Sequence, residues 1–167
     1  MTVGRRPAWA LVLVAALFCG WSAWSYWQAR SDDSLSFGRT RDEVLRTGRQ
    51  KIADLNSMDG TRIDAGLRRW LDASTGPLRD ELRRTQAASR QRLLSAGTTA
   101  RATVLNAAVT ELDTRAGSAR LIASIQIALA RPGGATTTER RRYEAVLART
   151  GQGWKLRSLT AIPVNAA

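Results

Sequence analysis

The feature that most constrains this chain is an uninterrupted apolar run near its start, AWALVLVAALFCGWSAWSYW, from Ala8 to Trp27. About 20 residues of α-helix rise roughly 30 Å, which is the thickness of the hydrocarbon core of a bilayer. The only ionisable side chains in the run are Cys19 and Tyr26. We therefore expect a transmembrane helix over residues 8–27, preceded by a tail of residues 1–7.

The charges on either side of the run predict its orientation. Two arginines precede it, whereas two aspartates, Asp32 and Asp33, follow it closely. Because positive charge is retained on the cytoplasmic side, we expect a single-pass cell-membrane protein with a cytoplasmic N-terminus and an extracytoplasmic C-terminal part. A cleaved signal peptide needs small residues before the cut, and bulky Trp and Tyr crowd that region. The side chains expected at the two membrane surfaces are Arg5, Arg6, Trp9, Trp24, Tyr26 and Trp27.

The rest of the chain changes its hydrophobic period once. Residues 28–41 are short and polar, which predicts a juxtamembrane linker. Residues 42–96 then carry apolar residues at steps of three and four, typical of helices, with breaks at Asp59-Gly60 and before Pro77 and an end near Gly97. Residues 98–162 alternate with period two and are divided by glycine-containing turns. The predicted strands are 98–113, 119–131, 137–149 and 154–162.

Helices followed by a run of strands predict an α+β fold, with about three helices packed on one face of a curved four-stranded antiparallel sheet. We expect one extracytoplasmic domain over residues 42–162 and a tail of residues 163–167. It has no internal disulfide, because Cys19 is the only cysteine. The face of the sheet exposed to water should carry Arg120, Arg140, Arg142, Glu144, Lys155 and Arg157, or their register neighbours.

The residue types present argue against catalysis. The sequence contains no histidine, which removes the commonest general base and metal ligand. It contains neither a calcium-binding Asp-x-Asp-x-Asp-Gly loop nor a phosphate-binding loop. We therefore expect no enzyme, no cofactor and no metal site. The aromatic residues of the outer domain, Trp70, Tyr143 and Trp154, are interpreted either as ordinary core or as the lining of a hollow that holds a lipid chain.

The chain is strongly basic, with 26 Lys and Arg residues against 14 Asp and Glu and a net charge of +12. The arginines are dispersed among acids and lack interleaved stacking aromatics, so nucleic acid is not an expected partner. A basic surface beside a membrane could instead attract anionic lipid headgroups.

Three stretches carry a resemblance to a known family. After the apolar run, the segments VLRTGRQKIADLNSMD, RIDAGLRRWLDASTGPLRDEL and RRYEAVLARTGQGWKLRSLTAI resemble the actinobacterial Mce-associated membrane proteins (mammalian cell entry). The resemblance implies an outer domain similar to the nuclear-transport-factor-2-like cone fold. It also implies an accessory subunit of an Mce-type importer of sterols or fatty acids, with the bilayer and Mce transporter subunits as partners.

The leading functional hypothesis is therefore a non-enzymatic, membrane-anchored accessory or scaffold subunit of a lipid import system. Two alternatives remain open. One is an assembly scaffold of a secretion or conjugation complex that uses the same architecture. The other is a pocket domain of the cone fold, either a small lipid carrier or an enzyme.

Overall fold

The computed structural model describes residues 6–163, without the side chains of residues 6–17, 22–23 and 25–34. The chain divides into two compact units, Met1–Arg39 and Thr40–Ala167. In chain order the elements are α1 (Arg6–Leu55), α2 (Ile63–Ala73), α3 (Gly76–Ala96), β1 (Thr99–Asp113), β2 (Ser118–Ala130), β3 (Thr137–Thr150) and β4 (Gly153–Ile162).

The run Ala8–Trp27 lies within the backbone of α1, and most of its side chains fall outside those described. Over the described part of the chain, no helix is both long and apolar enough to cross a membrane, so the expected transmembrane helix is not found there. Of the expected surface anchors, Trp24 is described and is 70% exposed. Arg5 and the side chains of Arg6, Trp9, Tyr26 and Trp27 lie outside the described residues, so the anchoring role stays a prediction.

The structure differs from the expected linker at residues 28–41, where the backbone is helical and belongs to α1. This stretch contains no proline, and its one glycine, Gly38, weakens a helix by only about 1 kcal/mol relative to alanine. Polar composition alone therefore does not end a helix.

The ends of α3 follow the sequence closely. Thr75 is the residue before the helix, and Pro77 lies in its first turn, where a missing backbone N–H costs little. At the other end Gly97 adopts a left-handed conformation with φ of 55°, and its N–H donates to the carbonyl of Leu93. Glycine reaches this conformation without the steric penalty that a side chain would bring, so the predicted stop is confirmed.

The four strands form one antiparallel sheet in the order β1-β2-β3-β4, which confirms the predicted α+β class and the meander. The register shifts between Val104 and Asn106, between Val109 and Glu111, and between Val146 and Leu147. Such irregularities bend a strand and increase its twist, and here they lie in β1 and at the pairing of β3 with β4.

The main core lies between α1 and one face of the sheet. In β2 the odd-numbered positions from 119 to 127 are buried, and Val44 and Ile52 of α1 are fully buried against them. Burial of an aliphatic side chain contributes about 1.5–3 kcal/mol, so Val44 and Ile52 stabilise the packing of α1 on the sheet. A smaller cluster of Met58, Ile63 and Leu67 packs against Leu93 of α3 and so joins α2 to α3.

One expectation about the water-exposed face of the sheet, that Lys155 is solvated there, is wrong. Lys155 is 9% exposed rather than solvated, and its Nζ donates to Oε1 of Gln152 at 2.7 Å. Lys155 pairs with Ala148 and lies between Trp154 and Leu156 of the core, so strand alternation still gives it the outward face. Its side chain turns back to Gln152 in the hairpin turn, and alternation along the strand does not predict that contact.

Candidate interaction surface

The aromatic residues singled out from the sequence lie in two separate clusters. Trp70 packs against the smaller cluster, and its Nε1 donates to the carbonyl of Ser57 at 3.2 Å. Tyr143 and Trp154 both belong to the main core, at 9% and 2% exposure. The indole N–H of Trp154 is buried with no hydrogen-bond partner among the described residues. Whether the three line a ligand-holding hollow stays a prediction.

A groove opens on the face of the sheet that points away from α1. Its volume is about 420 Å³, and its lining crosses all four strands. Three of its lining residues, Ala107, Ala123 and Tyr143, lie between two outward-facing rows of cross-strand neighbours, which supply the rest of the lining. The first row is Ala108, Ile122, Glu144 and Thr160, of which Glu144 and Thr160 do not line the groove. The second row is Asn106, Ser124, Arg142 and Ile162, and all four line it.

The position of the groove follows from the alternation of side chains along the strands. Ala123 and Tyr143 are buried and point toward the core, so Ile122 and Arg142, one residue before them, point outward. Ile122 is 44% exposed and Ile162 is 38% exposed. The side chains next to Ile122 are small, namely Ala108 on β1 and Ser124 on β2, so they leave an open recess beside it.

A second cavity of about 360 Å³ adjoins this groove and shares Asn106, Ser124 and Arg142 with it. Its remaining walls include Arg140 and Leu105, and Leu105 is 39% exposed. The outward face therefore combines exposed apolar side chains with arginines, and the arginines are more numerous in the second cavity. A continuous recess of this kind is typical of surfaces that bind another molecule.

The acidic side chains of the sheet near this recess are already paired with other arginines. Glu139 accepts from Arg141 at 2.8 Å, and Glu144 accepts from Arg120, which also donates to Glu111 at 3.2 Å. These hydrogen bonds raise the pKa of Arg120, chiefly through Glu144, and that of Arg141, chiefly through Glu139.

Two arginines beside the groove have no such partner. Arg140 and Arg142 are exposed, and within the described part of the chain neither makes an ion pair. Each leaves an uncompensated positive charge next to apolar surface. The recess therefore offers both an apolar floor and two free guanidinium groups.

The carboxylates elsewhere in the described part of the chain form no metal-ion cluster, because no group of three or more Cys, Asp and Glu side chains comes together there as a metal site would require. The most perturbed carboxyl group is Asp59, whose pKa lies well below its usual range because the Thr61 hydroxyl, the Thr61 N–H and Arg62 donate to it. A general acid or base needs a pKa near neutrality, so Asp59 is suited to stabilising its turn.

The sequence analysis missed the apolar part of the recess. It identified Arg140 and Arg142 as residues on the water-exposed face of the sheet, but it did not identify Ile122 and Ile162. A signal was present, because Ile122 is apolar at an even position of a strand whose odd positions form the core. An apolar residue at a strand position that should face water indicates that this face is either buried or a binding surface.

Comparison with known proteins identifies the fold. No protein family and no curated protein matches the chain. Among solved structures, it is similar to an IcmL-like type IV secretion system protein from Legionella pneumophila, with a TM-score of 0.62, 10% identity and coverage of 76% of this chain and 95% of the other. It is also similar to CagV of Helicobacter pylori, a VirB8 homologue, with a TM-score of 0.58, 9% identity and coverage of 74% of this chain and 99% of the other. For the periplasmic domain of DotI the TM-score is 0.60 and the identity 11%, with coverage of 72% of this chain and 94% of the other.

At about 10% identity these likenesses establish a shared fold and not a shared activity. They nevertheless correct the family expectation, because the similar structures are type IV secretion proteins and none of the comparisons supports an Mce-associated protein. The expectations of lipid import and of partners from an Mce transporter are wrong for the same reason.

Proposed function

We propose that this chain is a non-enzymatic assembly scaffold of a secretion or conjugation complex. The observation that carries the proposal is the fold, which matches nearly the whole length of three solved secretion-system domains. Of the alternatives that the sequence leaves open, the comparisons favour this one over lipid import.

The surface chemistry agrees with a role in contact rather than catalysis. The described residues bring together no group of three or more Cys, Asp and Glu side chains that could hold a metal ion, whereas they do present a recess with exposed isoleucines and free arginines. Exposed apolar patches with polar borders are typical of protein interaction sites. A scaffold needs such surfaces and no reaction centre.

The proposal places the domain outside the cytoplasm, attached to the cell membrane through the apolar run Ala8–Trp27. The support comes from the sequence, because Arg5 and Arg6 precede the run and the acidic residues follow it. One similar structure is described as a periplasmic domain, which agrees with this location. Attachment would hold the domain at the surface where a membrane-spanning machine assembles.

Crosslinking in the native cells tests the proposed function. The full chain, tagged and expressed at its natural level, would be crosslinked in living cells and purified from membranes, and its partners identified by mass spectrometry. We expect subunits of a secretion or conjugation apparatus, including its ATPases or channel proteins. A matched chain lacking residues 40–163 should recover none of them.

The opposite result is equally clear. Recovery of lipid-importer permeases, or of no protein other than further copies of the chain, would contradict the proposed function.

A further inference from the structure

We infer that the outward face of the sheet is a docking groove for a short segment of another protein, one that carries large apolar side chains beside a carboxylate. This inference rests on the proposed function, since it assigns the surface through which the scaffold binds one of its partners. The groove consists of the two cavities that share Asn106, Ser124 and Arg142.

The apolar part of the groove explains the large side chains. Leu105, Ile122 and Ile162 are all large hydrophobic residues with more than a third of their surface exposed, and all three lie on this face or its rim. Isolated exposed hydrophobic residues are common on proteins, but three around one recess form a patch that binding would bury.

The charges select the polar part of the partner. Arg140 and Arg142 flank the apolar floor without a carboxylate, while Glu111, Glu139 and Glu144 are held by other arginines. An arginine fork binds a carboxylate through two parallel N–H···O hydrogen bonds, which are about twice as strong as neutral ones. A partner Asp or Glu would therefore supply what the protein does not.

The same charges argue against a second copy of this chain as the occupant. A symmetric dimer through this face would bring two sets of Arg140 and Arg142 together, because a twofold interface uses the same patch on both subunits. Four guanidinium groups at one interface would repel one another, since each nearby glutamate of the sheet that the structure describes already pairs with another arginine.

The size of the groove fits a short segment. Four neighbouring strands span about 14 Å from the first to the last. An extended segment of about four residues, or a helix of about two and a half turns, covers this distance. Such a segment can place two apolar side chains on the floor and a carboxylate beside the arginines.

A photo-crosslinking residue placed at Ile122 tests the groove in the native cell, on the full chain. We expect it to capture a partner protein, and the captured peptide should contain large apolar residues next to Asp or Glu. The matched control is the same residue at Leu94 of α3, which is 47% exposed but lies outside the groove, and which should not capture that peptide.

A second pair of variants tests the charge. With the crosslinker at Ile162, Arg142→Glu should lower the yield of the same crosslink about tenfold or more, as expected for an arginine at the centre of an interface. Arg83→Glu on α3, an equal change of charge on an exposed residue, should leave the yield unchanged. Replacing the partner's carboxylate by Lys should restore the crosslink to Arg142→Glu, which a misfolded variant could not show.

Several results would overturn the inference. In the first experiment, these are a crosslink from position 122 to a second copy, to residues 164–167 of the same chain or to lipid only, and the absence of any crosslink. In the second experiment, it is an undiminished crosslink yield in Arg142→Glu. If the chain still co-purified with secretion subunits, the groove would be wrong while the proposed function stood. If the captured protein belonged to a lipid importer, the groove would stand while the proposed function failed.

Discussion

At the scale of single residues, Gly48 shows how a missing side chain determines the position of a helix. A Cβ atom at this position would lie 2.6 Å from Cδ2 of Leu121 and 3.6 Å from Cδ2 of Leu147. Both leucines are fully buried, so neither can move into solvent to make room. The close approach of α1 to the sheet therefore depends on glycine, although glycine lowers helix stability.

Replacing this glycine tests the contact. Gly48→Leu should lower the free energy of unfolding by about 1–3 kcal/mol, because added atoms in a filled core force neighbours out of place. Gly38→Leu is the matched control, since nothing lies within 4 Å of its Cβ, and it should raise stability by up to about 1 kcal/mol. Urea unfolding of the full chain in detergent measures both, and equal effects would contradict the packing described.

Asp59 gives a prediction about pH. Its pKa is lowered in the folded state, so its ionised form contributes stability above the unfolded pKa of about 4, and that contribution is lost as the pH falls toward the folded value. Asp59→Asn should therefore be less stable than the wild type at pH 7, and the difference should shrink below about pH 4.

The control for this prediction is Thr61→Val, which removes the first hydrogen-bond donor and keeps the carboxyl group. It should reproduce part of the neutral-pH loss. Urea unfolding at several pH values gives the comparison, and a difference between wild type and Asp59→Asn that grew on acidification would contradict the assignment.

At the scale of elements, the helices α2 and α3 are joined by two kinds of contact of unequal strength. Leu67 of α2 is buried in the cluster against which Leu93 of α3 packs, whereas Arg90 of α3 and Asp64 of α2 form an exposed ion pair at 2.8 Å. Exposed ion pairs contribute up to about 1 kcal/mol, and a buried leucine contributes more. The apolar contact should therefore hold the helical pair in place.

Two alanine substitutions separate these contributions. Leu67→Ala should cost about 2–5 kcal/mol in unfolding free energy through lost burial and a cavity. Arg90→Ala should cost much less than Leu67→Ala, and less still at high salt, because its ion pair is exposed and screened. Chemical denaturation at low and high salt measures both, and a larger loss for Arg90→Ala would reverse the ranking.

Elements with a strong local signal could be predicted from the sequence, and those that depend on distant contacts could not. The strands were predictable from period-two alternation, and the ends of α3 from Pro77 and Gly97. The burial of Lys155 was not, because its side chain turns back to Gln152 in the hairpin turn, and alternation along the strand does not predict that contact. The helical segment at residues 28–41 was missed because its polar composition resembles that of a loop.

At the scale of the whole molecule, the sequence could predict the basic side of the candidate surface but not the recess. The exposure of Arg140 and Arg142 on this face follows from the alternation of side chains along β3 alone. The groove requires Ile162 of β4 to lie in the same row as Asn106 of β1, which depends on the register of three strand pairs. Function was still harder to infer, because one fold supports several functions and a resemblance in short segments favoured the wrong family.

The second compact unit, Thr40–Ala167, contains the sheet, α2, α3 and both apolar clusters. A fragment that begins at Thr40 should therefore fold alone, with one cooperative thermal transition by circular dichroism, since it retains its own core. The full chain in detergent is the reference. A fragment without a cooperative transition would contradict the division into two units.

The central claim is that the chain serves the assembly of a secretion or conjugation complex. The most direct measurement compares protein secretion and DNA transfer in the native cells with and without the chain. We predict that deletion reduces one of these activities to background and that the full chain restores it. Unchanged secretion and transfer in the deleted cells, with impaired uptake of lipids, would contradict the claim.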